Sequence, residues 1–200
     1  MTAVSRFTAA TVLAASLIAA ISPALACVVS VPVAGSDTAE EQKSNGYMYM
    51  TSSDLELTTD GTKVQIVGIR FPGVAIPKGA TITDAYIQFK VDEVSSVATN
   101  LTIKGQAADN ALTFTTTAWN ISKRPRTAAS TTWSPPSWTT VSAKGTAQRT
   151  PSIKGIVQEI VNRPGWASGN AMAIIIEGTG KRTAGVTPEL VVEWTSSGVI

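Results

Sequence analysis

The 200-residue chain contains no histidine and a single cysteine. Without imidazole there is no Ser-His-Asp or Cys-His arrangement, no histidine general base and no zinc site built on histidine. With Cys27 as the only cysteine, no disulfide can form within the chain, so stability has to come from packing. Charge is scarce as well: 16 Lys and Arg face 14 Asp and Glu. One of the basic residues, Arg6, stands in the first 26 positions and no acidic residue does, so the remainder is close to neutral. A near-neutral domain lacks the concentrated basic surface that nucleic acid or an anionic membrane demands, so neither is an expected partner. Catalysis would rest on carboxylates alone, as in glycosidases, and no convincing pair is visible. The expectation is a protein that is not an enzyme.

What is present begins with a processing signal. Phe7 to Ile21, "FTAATVLAASLIAAI", is an apolar run, followed by Pro23 and an Ala-x-Ala site at Ala24 and Ala26. This reads as a signal peptide over residues 1–26, cleaved between Ala26 and Cys27, and it predicts a secreted or cell-surface protein. The run is too short and too weakly flanked for a transmembrane anchor. Cys27 leaves a second reading open, a lipid anchor on that residue, although Ala24 and Leu25 stand in the reverse of the usual lipoprotein order. Left unmodified, Cys27 is available for a bridge between chains.

Thr, Ser, Val, Ile and Ala dominate beyond that point, with turn residues at short intervals, which predicts an all-β fold. A flexible segment is expected over 27–36 and one domain over 37–196, with strands at 47–51, 55–58, 63–71, 82–91, 98–107, 171–178 and 189–195. In "KVQIVGIRF", Gln65, Val67, Ile69 and Phe71 form the more apolar face, leaving Arg70 to solvent or to a carboxylate. Ala85, Ile87, Phe89 and Val91 are the core side of the next strand. From Asp109 to Thr150 the pattern dissolves into a polar stretch rich in Thr, Ser, Pro and Trp, in which a short strand is expected near 138–141. Ile153, Ile156, Val157, Ile160 and Val161 fall at helical spacing. They predict one short amphipathic helix over about 152–163, with Ser152 as N-cap and Pro164–Gly165 as its stop.

"VGIRFPGVAIPKGATITDAYIQFKVDE", then "IVQEIVNRPGWASGNAMAIIIEG", "GKRTAG" and "PELVVEW" follow one another in an order that resembles the DNRLRE jelly-roll domains, related to carbohydrate-binding module family 96. The likeness runs from about Asp37 to Trp194. It implies a jelly-roll β-sandwich of the kind appended to extracellular enzymes or surface proteins, some of which bind acidic polysaccharides. "GKRTAG" lacks the Arg-Glu pair often seen near that place.

Candidate sites are few. Trp133 and Trp138 flank a proline pair in "TTWSPPSWTT", and two readings stand: an aromatic platform for a sugar ring, or anchors that pin a long loop. Trp166 and Trp194 read as packing residues. Arg70, Lys90, Lys181 and Arg182 are a basic patch for a polyanionic sugar if the strands bring them together, and ordinary surface charge otherwise. Asp37, Glu40 and Glu41 in "SDTAEE" are either part of a structural Ca2+ shell or a solvated turn. Asn100 and Asn120 match the glycosylation sequon. Taken together, a secreted, non-catalytic module contacting extracellular or cell-envelope polysaccharide is expected. The alternative is a structural subunit of a surface layer or filament, assembling as a homo-oligomer through strand edges.

Overall fold

A computed structural model describes residues 25–33 and 37–196. Most of the expected signal peptide therefore lies outside the described residues. In chain order the elements are β1 Leu25–Pro32, β2 Thr38–Gln42, β3 Met48–Tyr49, β4 Asp54–Glu56, β5 Thr59–Asp60, β6 Lys63–Phe71, β7 Thr81–Gln88, β8 Val91–Glu93, β9 Asn100–Gln106, β10 Arg126–Trp133, α1 Lys154–Val161, β11 Met172–Thr179, β12 Thr183–Gly185 and β13 Glu189–Ser196.

All ladders are antiparallel. The larger sheet runs β10-β9-β11-β6-β2-β3, with β5 also on β6. Facing it are two short ladders, β1-β13-β7 and β4-β12-β8. These two share a chain path, because β7 leads almost directly into β8 and β12 into β13. Val31, Leu55, Ile69, Ile87, Val91, Ile103, Ile174, Ala184 and Val192 come from both layers and pack into one core, which defines an all-β sandwich with one short helix.

The helix closes the core with Ile156, Val157, Ile160 and Val161, all buried. It is shorter than its apolar spacing predicts, and its N-cap position is Ile153. Ser152 is drawn off instead by Asp84, to whose Oδ1 it donates at 2.6 Å.

Strand parity explains the sequence pattern. Met172, Ile174 and Ile176 face the core, while Ala173 and Ile175 face a second cluster with Ala39, Ile66, Ala111, Phe114 and Ile121 on the outer side of the larger sheet. A strand buried on both faces reads as a continuous apolar run. In β7 the register passes from Glu193↔Asp84 to Trp194↔Ile82, so Thr83 is an extra residue. This bulge puts Ile82 on the same side as Ala85, against the simple alternation of the sequence.

Two segments differ from expectation. Residues 27–32 are not a loose tail: Leu25–Pro32 pairs along its length with β13, and Val31 enters the core. Residues 34–36 lie outside the described residues. Within the polar stretch, the strand is β10 at 126–133 rather than at 138–141, where a single bridge, Ser95↔Trp138, is found.

Candidate functional site

The "TTWSPPSWTT" loop turns inward. Thr131 to Trp133 end β10, with Trp133 opposite Leu101 of β9. Trp133 is 5% exposed and Trp138 0%. Trp133 stacks on Phe89 at 5.7 Å between centroids and 14° between planes, and Trp138 tilts onto both rings at 6.5 and 6.4 Å. Trp138 Nε1 donates to Ala147 O at 3.1 Å. Both indoles are thus core anchors rather than a sugar platform, because their rings pack on each other and on Phe89 within the core. Trp166 and Trp194 are buried as well.

Arg182 lies beneath the same loop, 2% exposed. Its Nε donates to Pro136 O at 3.0 Å and Nη2 to Pro135 O at 3.0 Å, while Nη1 reaches Val97 O at 2.7 Å and Thr99 Oγ1 at 2.9 Å. It is a structural strut, not a surface cation, and burial holds its guanidinium below the ordinary range. Arg70 is engaged elsewhere, on the outer side of the larger sheet: Nη1 meets Asp37 Oδ2 at 2.8 Å and Nε meets Ala111 O at 2.8 Å. Lys181 pairs with Glu93 at 2.9 Å and Lys90 stays exposed. The charged ends of the four expected cations share no partner: Arg70 meets Asp37, Lys181 meets Glu93, and Arg182 is spent on carbonyls and hydroxyls.

The three carboxylates expected to share a cation also part company. Asp37 is committed to Arg70. Successive residues of a strand point to opposite faces, so Glu40 and Glu41 diverge. Glu41 Oε2 accepts the N–H groups of Ile121 and Ser122 at 2.7 and 2.9 Å on the outer side. Glu40, 2% exposed, points the other way and accepts the Glu56 N–H at 2.7 Å. They do not fit one Ca2+ shell, and among the described residues no group of three metal-ligating side chains gathers. Burial and the neighbouring Glu56 push the Glu40 carboxyl from 4.5 up to about 9.

A groove exists where the sequence offered only a polar tract. The excursion between β9 and β10 crosses the outer face of the larger sheet and drives Phe114 and Ile121 into the second cluster. Phe114 fits because residue 68 is glycine: a Cβ there would stand 2.5 Å from Phe114 Cζ. Arg124 lies 4.2 Å over the Phe114 ring and binds the excursion together. Its five donors are spent on the carbonyls of Leu112, Thr113 and Asn120 and the side chains of Gln106 and Asn120. Burial, then the nearby Arg70 and Arg126, hold its guanidinium below the usual range.

Beside it lies Trp119, the one tryptophan of five that is not buried. Its φ is 65°, a left-handed conformation rare for a bulky residue. One side of the indole is seated on Gly46, where a Cβ would run into the ring. The ring also lines a groove of about 510 Å³ with Gln106, Leu112, Thr113, Lys123 and Arg124. No carboxylate is among the residues lining it. Sequence reasoning passed over Trp119 because no apolar periodicity surrounds it. That isolation was itself the available signal, since an indole without apolar neighbours in register is poorly explained by packing.

No protein-family model matches the chain, and a search of curated proteins finds no match. What the geometry defines is the fold class, an all-β sandwich with one short helix, here with a groove bordered by the half-buried Trp119.

Proposed function

We propose that the chain is an exported, non-catalytic β-sandwich module that contacts extracellular or cell-envelope polysaccharide through the groove at Trp119. The observation that carries this reading is the placement of Trp119. An indole partly open to solvent, held by a strained backbone and backed by Gly46, is a preformed stacking surface. Strain of this kind concentrates at ligand clamps, where the surroundings over-determine it. The groove adds threonine hydroxyls, the Asn120 amide and Lys123, groups that hydrogen-bond sugar hydroxyls and carboxylates. Its positive charge without a lining carboxylate suits an acidic chain better than a cationic one. The buried carboxyl pair Glu40–Glu56 lines none of it.

The export reading places cleavage after Ala26, leaving Cys27 as the first residue of the strand paired with β13, whether free or lipidated. The test is retention of the purified full chain on a panel of immobilised neutral and acidic polysaccharides. Trp119→Ala is expected to abolish retention while the thermal midpoint moves by no more than about 4 °C. Equal retention by wild type and variant, or none by either, overturns the reading.

A further inference from the structure

Among the described residues, the strand edges are protected, with one exception. Along β10 the outward N–H groups of Ala128 and Ala129 are taken by the Glu159 carboxylate of α1 at 2.9 and 2.8 Å. The outer edge of β7 is met by Gln148, Thr150, Ile153 and Gln158. At the far side of the larger sheet β3 is two residues long. β4 and β8 are three residues each and carry two acids apiece. Short, charged or covered edges are how proteins avoid pairing with other chains.

β1 has none of these devices. It is eight residues long, "LACVVSVP", of which residues 27–32 follow the proposed cleavage point; none of its side chains is charged, and Val28 is 66% exposed. Among the described residues it pairs only with β13. Its register tells which groups face outward. Val33 donates its N–H to Pro188 O, and hydrogen-bonded pairs alternate along an antiparallel ladder. The odd residues Cys27, Val29 and Val31 therefore bond to β13, while Val28 and Ser30 turn both N–H and C=O away from it. Pro32 falls in the outward set, the only set in which a strand tolerates a missing N–H.

We infer that the free edge of β1 pairs antiparallel with β1 of a second copy of this chain, joining two β1-β13-β7 ladders into one continuous sheet. In the register centred on Val29, each Val28 exchanges both outward bonds with Ser30 of the second copy. A two-fold axis makes such an edge its own complement. Only an edge without charge escapes the repulsion that two identical charged strands would bring to the axis.

Sedimentation velocity on the purified full chain tests this, with hydrogen exchange at Val28 and Ser30. The wild type is expected to show a concentration-dependent monomer–dimer equilibrium, with those two amides slowing as dimer forms. Ser30→Pro removes an outward donor without touching a bond to β13, and is expected to sediment as monomer with an unchanged circular dichroism spectrum. Should Ser30→Pro fail to fold, Val28→Lys, at an exposed side chain, gives the same readout. A wild type that stays monomeric at the highest attainable concentration overturns the inference. So do variants that still dimerise, or slow exchange of both amides in the monomer, which means the chain's own remaining residues or another partner cover the edge.

Discussion

Glu40 Oε1 accepts the backbone N–H of Glu56 at 2.7 Å, which brings two buried glutamates together where β2 of one layer meets β4 of the other. Burial is the largest influence on each carboxyl, and both are raised. Two carboxylates in one dry place cannot both ionise cheaply, so the folded protein keeps a proton on the pair.

The sign of the pH dependence follows. Between 4.5 and about 9 the folded state holds a proton on Glu40 that the unfolded chain has released. Stability from this pair is therefore full below the unfolded value and declines as pH climbs through that window. Glu40→Gln keeps an acceptor for the Glu56 N–H and a permanent donor for its carboxylate. It is expected to stabilise the fold by about 1–3 kcal/mol at neutral and alkaline pH, by removing a buried titration. Urea melts at about pH 5, 7 and 9 check this, and an equally steep decline in the variant refutes it.

Arg182 answers carbonyls rather than acids, and its planar fork is what reaches Pro135, Pro136 and Val97 at once. Lysine presents its donors from one point and cannot span them. Arg182→Lys is expected to cost about 2–3 kcal/mol by leaving buried carbonyls unpaired. The effect should concentrate in residues 134–141, where hydrogen exchange is expected to quicken first. Uniform loosening of the whole domain would mean that the strut role is wrong.

Trp138 is fully enclosed between Phe89, Trp133 and the Ala147 carbonyl. Trp138→Ala is expected to destabilise by about 3–5 kcal/mol, the range for emptying a buried aromatic site. Trp119→Ala, by contrast, is expected to lie within about 1 kcal/mol of wild type, as a change at a partly exposed side chain away from the main core. Chemical melts of both variants decide this, and similar losses would place Trp119 among the packing residues.

The contrast between these two tryptophans marks how much was legible in the sequence. β6, the second half of β7, β9, β11 and β13 announce themselves because alternation or an unbroken apolar run is written by the face they bury. β2 was hidden because it buries two glutamates, and an acidic run reads as a solvated turn until partners such as the Ile121 N–H and Glu56 N–H are known. β10 was hidden for a similar reason. Its threonines, serine and alanines are half open, and only Thr127 and Trp133 are buried. The groove at Trp119 depends on the seat that Gly46 gives the indole, too far away in the chain for any local pattern to record it.

Gly68 and Phe114 supply a last check, on how the excursion that carries Trp119 is held. The Phe114 ring occupies the space a side chain at position 68 would need, and a Cβ there would also stand 3.1 Å from Ile121 Cδ1. Gly68→Ala is expected to cost about 1–3 kcal/mol, as overpacking does in a site with no slack. Proteolytic nicking within residues 107–125 should rise with it, because the second cluster is what fixes that segment to the sheet. Phe114→Leu shortens the ring that meets the new methyl, so adding it to Gly68→Ala should recover part of the loss. On a double-mutant cycle the two changes should couple by about 0.5–2 kcal/mol, as contacting residues do. Strict additivity would show that the ring can swing clear, and that the excursion is held by the Arg124 bonds instead.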